Sequence, residues 1–228
     1  MKNTLKGALV AITLAAVPVA MPAVATAQTN GIATSNPTLA ILRSQARINA
    51  YNQITQTYQA QIAQVRQIDS EVTQLRQSLD TNSDGQVSQA EAQANPNVVQ
   101  QIQQKEQQIQ QASQPLIVAQ YYVLDQILND YENAQNQVIQ NKGIQIMLSP
   151  DAIQYAPAGT DVTADITAVM DQRLPQVSFQ APQNWRPSNA NVSQLHEAIG
   201  QLTALAIRQQ AAQQGGQAQP VTPQPQGR

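Results

Sequence analysis

The stretch ITQTYQAQIAQVRQIDSEVTQLRQSL, residues 54–79, decides the fold. Its apolar residues recur every three or four positions, which places them on one stripe of an α-helix. The segment from about Leu39 to Leu79 contains neither proline nor glycine, so nothing in it favours a helix end. A helix of this length is a rod of roughly 60 Å. The stripe consists of Ile54, Tyr58, Ile62, Val65, Ile68, Val72, Leu75 and Leu79.

A second amphipathic stretch returns over a similar length, from Val98 to about Asn141. Pro115 lies inside it and should kink the helix, because proline lacks an N–H group and clashes with the preceding turn. Two matching arms joined by a short polar segment predict an antiparallel helical hairpin over residues 41–140, with its tip loop at 80–97. The apolar positions of the second arm are Val98, Ile102, Ile109, Ala112, Leu116, Ala119, Val123, Ile127, Tyr131, Ala134 and Val138.

Short segments with strand character flank the hairpin. GIATSN precedes Pro37, and GIQIML follows Lys142-Gly143, a predicted helix C-cap, with alternating apolar and polar residues. AIQYA is predicted to be another short strand, and TADITAVMDQRL a helix that Thr163 caps. The predicted fold class is therefore α+β and mostly α, with the hairpin on a small β-containing body formed by residues 28–40 and 141–174.

The C-terminal region, residues 175–228, has a different composition. It begins with a proline-containing linker, continues with an amphipathic helix over residues 191–212, and ends in a tail rich in Gln and Pro. We expect the tail to be disordered from Gln213, because it has too few apolar residues to pack.

The first 27 residues predict a secretory signal peptide. Lys2 and Lys6 precede an apolar run, and Ala25-Thr26-Ala27 forms a small-residue cleavage site. We expect export to the periplasm of a two-membrane bacterium, with secretion to the medium as the alternative, and no membrane-spanning segment once the signal is removed. Cleavage removes both lysines and takes the formal net charge from −2 to −4. The mature chain therefore has no basic field to hold nucleic acid.

Residues suited to catalysis are scarce. The chain has no cysteine, which excludes disulfides and thiol chemistry. His196 is the only histidine, and we interpret it as a solvated surface residue rather than a catalytic base. No nucleophile elbow, phosphate-binding glycine loop or zinc spacing is present. The sequence therefore predicts a protein that is not an enzyme.

The tip loop DTNSDGQVSQAE, residues 80–91, matches the calcium loop pattern D-x-[DN]-x-[DN]-G-x₅-E. Calcium prefers six to eight oxygen ligands around a tight loop, and Gly85 stands where the loop must bend. We expect any binding to be weak, with a Kd of about 10⁻⁴–10⁻³ M. The predicted ligands are Asp80, Asn82, Asp84, the carbonyl of Gln86, Ser88 and a bidentate Glu91.

The same loop is also explained as a polar hairpin turn. Asp, Asn, Ser and Gly favour turns without any metal, and Ser88 with Glu91 forms a capping box. Ala92 stands where a calcium-binding hand carries a large apolar residue, and no second loop is available to pair with Val87. Both interpretations remain open at this level.

The closing segment NKGIQIMLSPDAIQYAPAGTDVTADITAVMDQRL, residues 141–174, resembles the Skp/OmpH family of periplasmic chaperones. GIATSNPTLAILRSQA resembles the first strand and helix of that family, and the similarity covers about residues 30–174. The resemblance implies a homotrimer whose bodies associate while three hairpins project as tentacles around a cavity. It also implies an ATP-independent holdase that binds unfolded outer-membrane proteins and prevents their aggregation in transit. The best-known members are strongly basic, so lipopolysaccharide binding is not carried over to this acidic chain.

A second hypothesis is a calcium-binding coiled-coil protein with a structural or adaptor role in the cell envelope. Its interaction elements would be the helix at 191–212 and the tail. Such a protein would bind specific partners and would not keep unfolded proteins soluble.

Overall fold

The computed structural model describes residues 31–157 and 159–215. The predicted signal peptide, the start of the body and residues 216–228 of the tail lie outside these ranges. Within them, no helix is both long and apolar enough to cross a membrane. The elements are β1 (Ile32–Thr34), α1 (Pro37–Arg43), α2 (Gln45–Thr57), α3 (Gln59–Leu79), α4 (Gln89–Ala94), α5 (Pro96–Lys142), β2 (Ile146–Leu148), α6 (Thr163–Arg173) and α7 (Val192–Gly215).

The first arm is interrupted at Ser44. The backbone there is extended, with φ −61° and ψ 137°, so α1 ends and α2 begins at the same residue. The Ser44 hydroxyl accepts from the N–H of Arg47 at 3.4 Å and donates to the carbonyl of Ile41 at 3.1 Å. The prediction of one uninterrupted helix is therefore wrong at this position. At Tyr58, helical hydrogen bonds continue on both sides, so α2 and α3 form a nearly continuous rod.

The second arm is a single helix. α5 has 47 residues, about 70 Å at the usual rise, and it continues through Pro115 without ending. It stops at Gly143, where φ is +61° and the N–H groups of Gly143 and Ile144 bond back to the last turn. This confirms the predicted C-cap, because glycine adopts the left-handed conformation without a steric penalty. α3 and α5 pack along each other, which confirms the helical hairpin.

The β-structure is a two-stranded parallel sheet in which Ile32 pairs with Ile146 and Thr34 with Leu148. The predicted strands in GIATSN and GIQIML are therefore confirmed. On its other edge, β1 bonds to the segment that precedes α6: Thr34 N–H donates to Thr160 O, and Val162 N–H donates to Thr34 O, both at 2.9 Å. The body is thus closed by residues far apart in the chain.

The predicted strand AIQYA is wrong. The chain makes a 3₁₀ turn at Pro150–Ala152 instead, and Tyr155 is 86% exposed. The N–H groups of Ala152 and Ile153 donate to the carbonyls of Ser149 and Pro150 inside this turn, at 3.0 and 3.2 Å, so they are not available to a β-sheet. Thr163 does not cap α6 through its side chain either. Its hydroxyl donates to Asp161 Oδ1 at 2.5 Å and accepts from Asn36 N–H at 2.9 Å, which joins the start of α6 to the start of α1.

The described part of the chain forms two separate apolar cores. A large one lies in the body and the root of the hairpin, and its largest fully buried side chains are Ile41, Ile54, Leu124, Ile127, Ile166, Val123 and Val162. A small one lies near the tip and consists of Ile68, Val72, Leu79 and Ile102. Between them, the stripe residues Ile62, Val65, Ala112 and Leu116 are only half-buried. The hairpin is therefore packed firmly at both ends and loosely in its middle.

Candidate functional site

The six predicted calcium ligands form two small groups in the tip loop. In the first, Asp84 N–H donates to Asn82 Oδ1 at 2.9 Å and to Asp80 Oδ1 at 3.1 Å, and Gln86 N–H donates to Asp84 Oδ1 at 2.8 Å. In the second, the N–H and hydroxyl of Ser88 donate to Glu91 Oε2 at 2.9 and 2.8 Å. The predicted sharp bend is present at Gly85, where φ is +81°.

Glu91 links the two groups. Its other oxygen, Oε1, accepts from the N–H and the hydroxyl of Thr81 at 2.7 and 2.8 Å. Glu91 is 9% exposed, and Ser88 caps α4 in a complete capping box. The Ser88 N–H and hydroxyl, with those of Thr81, lower the pKa of Glu91 to about 2, because every donor favours the charged carboxylate. Sequence reasoning missed the role of Thr81, which is not at a ligand position of the calcium pattern.

The carboxylates of Asp80, Asp84 and Glu91 thus accept hydrogen bonds from N–H and hydroxyl groups of the loop itself. Within residues 31–157 and 159–215, no group of three or more His, Cys, Asp or Glu side chains is arranged to hold a metal ion. Glu91 would have to give up its bonds to Thr81 and Ser88 before it could bind a cation with both oxygens. Calcium binding at this loop stays a prediction.

The arms near the tip are also joined by ion pairs. Arg76 Nη2 lies 2.7 Å from Glu106 Oε1, and Lys105 pairs with Glu71. Side chains in both pairs are substantially exposed, and exposed pairs contribute at most about 1 kcal/mol each. The pairs therefore bridge α3 and α5 but add little to the stability of the hairpin.

The body presents an apolar sheet face. Ile32 and Ile146 are paired residues on one face, and Leu148 lies two residues further on the same face. They are 42%, 49% and 36% exposed. Contiguous exposed apolar side chains on a rigid sheet are typical of a surface that contacts another protein.

The C-terminal region packs onto α5, which sequence reasoning did not anticipate. The carboxylate of Asp125, 4% exposed, accepts from the N–H and hydroxyl of Ser188 and from the N–H of Asn189 at 3.0–3.2 Å. The next residue, Gln126, donates through its side chain to the carbonyl of Ser178 at 2.7 Å and accepts from the N–H of Ser178 at 3.2 Å. An acidic residue among apolar stripe positions was the one signal in the sequence. We call residues 178–189 the C-terminal strap, because they are hydrogen-bonded along α5 at the root of the hairpin.

His196 is not the solvated residue that the sequence predicts. It lies on the docked part of α7, and its ring meets the ring of Tyr121 edge-on at 5.1 Å between centroids. Its Nδ1 is buried and has no hydrogen-bond partner within residues 31–157 and 159–215. Burial lowers the pKa of His196, since the charged imidazolium is poorly solvated there, and the neighbouring Glu197 opposes this shift.

The chain is similar to a known protein family and to a solved structure. A model of the family described as outer membrane protein (OmpH-like) matches residues 31–170, more than half of the chain. The crystal structure of a proposed outer membrane chaperone (OmpH-like) from Caulobacter crescentus is 18% identical, with a TM-score of 0.40 and with 68% of this chain and 93% of that chain covered. No curated protein matches the sequence. By the family match over residues 31–170, the chain belongs to the OmpH-like family of outer membrane proteins.

Proposed function

We propose that the protein is an ATP-independent holdase chaperone of the periplasm, which binds unfolded outer-membrane proteins and prevents their aggregation in transit. Membership of the OmpH-like family supports a chaperone role. The structural observation that carries the proposal is a hairpin packed firmly at its root and tip and only half-buried between them.

Such a hairpin suits reversible binding to many chains. The half-buried Ile62, Val65 and Leu116 offer apolar surface in small amounts, so an unfolded chain gains contacts without the arms collapsing onto each other. Most other exposed positions of the arms are Gln, Asn, Ser and Thr, which hydrogen-bond to water or to a client backbone. Weak and dispersed contacts favour breadth of clients over affinity for one.

We further propose a homotrimer that forms through the sheet face of the body. Ile32, Ile146 and Leu148 would be covered by neighbouring copies, which removes their exposure to water. Light scattering should give the mass of a trimer for the mature protein. Ile146→Asp should shift the protein to a lower mass, whereas Tyr155→Asp, at an exposed position off the sheet, should not. A wild-type monomer at working concentrations would contradict this assembly.

The test of the chaperone activity is direct. An outer-membrane β-barrel protein unfolded in urea is diluted into buffer with and without the mature protein, and light scattering follows its aggregation. We expect scattering to fall as the holdase is added, to completion near one assembly per client. No reduction at a several-fold excess would refute the proposal. A client-specific effect, absent with a second barrel protein, would favour an adaptor role instead.

A further inference from the structure

We propose that the tip of the hairpin contains a binding pocket for a large apolar side chain of an extended client segment. This inference rests on the proposed function and assigns it a specific contact. The pocket has a volume of about 660 Å³, within the usual range of ligand pockets, which is about 300–1,000 Å³. It lies at the far end of the arms, away from the body.

The walls of the pocket come from both arms and from the loop between them. α3 contributes Leu79, the loop contributes Val87, α4 contributes Ala92, and α5 contributes Val99 and Ile102. Leu79 and Ile102 belong to the small tip core, so the floor is continuous with packed side chains. Val87 is 39% exposed at the edge. An apolar occupant would therefore extend a core that already exists.

The charged groups around the pocket are already paired. Arg76 bonds to Glu106 at 2.7 Å, and the carboxylate of Asp80 accepts from the N–H groups of Asp84 and Gly85 at 3.1 and 2.8 Å. A charged ligand would have to compete with these bonds and would lose its hydration. A neutral apolar group has no such hydration to lose, so the paired charges around the pocket favour an apolar occupant over a charged one.

An extended client chain supplies such a group. Strands of outer-membrane barrels alternate apolar and polar residues and carry aromatic residues near both interfaces. In an extended chain, successive side chains point to opposite sides. One aromatic ring can therefore enter the pocket while its neighbours stay in water beside the polar arms.

The absence of cysteine from the chain permits a local reporter. Val87→Cys carries an environment-sensitive bimane label at the pocket edge, and Ser78→Cys carries the same label at an exposed site on α3 that does not line the pocket. The probes are a short, capped and uncharged serine-rich peptide with one central phenylalanine, and the same peptide with alanine in its place. We expect a blue shift only for the label at position 87 and only with the phenylalanine peptide.

A second variant tests the pocket without a label. Val87→Asp places a carboxylate at the apolar edge, which should weaken binding of the phenylalanine peptide about tenfold or more. Ile207→Asp, the same change at an apolar residue that is 60% exposed on α7, should leave binding unchanged. Equal binding by both variants would overturn the pocket.

The outcomes separate this inference from the proposed function. Suppressed aggregation with a silent label at position 87 would refute the pocket and leave the chaperone activity standing. A phenylalanine-dependent shift without any suppression of aggregation would refute the chaperone activity and leave the pocket standing. A shift that appears without peptide and grows with protein concentration would mean that a second copy fills the pocket, which also overturns the proposal.

Discussion

The N–H of Thr81 donates to Glu91 Oε1 over 2.7 Å, so the first turn of α4 holds the beginning of the tip loop. Because the other oxygen of Glu91 accepts from Ser88, a single carboxylate fastens both ends of the turn. The charge of one side chain therefore joins the two ends of the turn between the arms.

We expect this clamp to loosen only in strong acid. The pKa of Glu91 is lowered to about 2, so the charged form is favoured by the folded loop. Its stabilisation is fully present above the ordinary carboxyl pKa of about 4.5 and is lost as the pH falls towards 2. The amide resonances of Thr81 and Ser88 should report this in an NMR titration with a midpoint near pH 2. The Glu91→Gln variant should show no such transition, and a wild-type midpoint near 4.5 would contradict the clamp.

Calcium binding at the loop gives a second prediction. A bidentate Glu91 must exchange four hydrogen bonds with Thr81 and Ser88 for the ion, which should keep the affinity in the range of about 10⁻⁴–10⁻³ M. Calorimetric titration should therefore show heat only at high calcium concentration. The double variant Asp80→Ala/Glu91→Ala should show none. If the wild type is equally silent at millimolar calcium, the loop is a turn and nothing more.

The hairpin was predictable because its pattern is long and local. Repeated apolar positions such as Ile68, Val72 and Leu79 define one helix face, and the helical periodicity needs no knowledge of the rest of the chain. The break at Ser44 was not predictable in the same way. A serine inside an apolar pattern is tolerated in a helix, and only the burial of its hydroxyl against Ile41 makes it a cap here.

Contacts between distant segments were outside the reach of the sequence. AIQYA has the alternation of a strand, but the N–H groups of Ala152 and Ile153 bond within the 3₁₀ turn instead. His196 has no local feature that distinguishes it from a surface residue, and Tyr121, which covers it, is far away in the chain. For the tip loop, the spacing of acidic and amide residues predicted which side chains carry the oxygen atoms. It did not predict that Thr81 would donate hydrogen bonds to Glu91.

The C-terminal strap should detach from α5 when the carboxylate of Asp125, which holds it, is neutralised. Asp125→Asn removes the charge that accepts hydrogen bonds from Ser188 and Asn189, and bonds to charged groups contribute about 1.5–3 kcal/mol each. Trp185, the only tryptophan, packs edge-on against Tyr122 at 5.2 Å, so its fluorescence reports the strap. We expect red-shifted emission and a lower Tm.

Asp151→Asn, at an exposed site in the 3₁₀ turn, is the matched control and should change neither quantity. Unchanged Trp185 emission in Asp125→Asn would show that apolar contacts alone hold the strap.

The docking of α7 should weaken in mild acid because of His196. Its buried Nδ1 has no hydrogen-bond partner among the residues that the structure describes, and its ring packs against the ring of Tyr121 in a T-shaped arrangement. Burial lowers the pKa of His196, so the undocked helix binds a proton more readily than the docked one. The docked state is therefore most stable above the ordinary histidine pKa of about 6.5 and loses stability as the pH falls below it. Hydrogen exchange of the α7 amides, corrected for intrinsic rates, should be faster at pH 5.5 than at 7.5. His196→Phe puts an aromatic ring that does not titrate at the same position, so the protection of the α7 amides in this variant should not change with pH. If protection changes equally in the wild type and the variant, the pH sensitivity lies in another group.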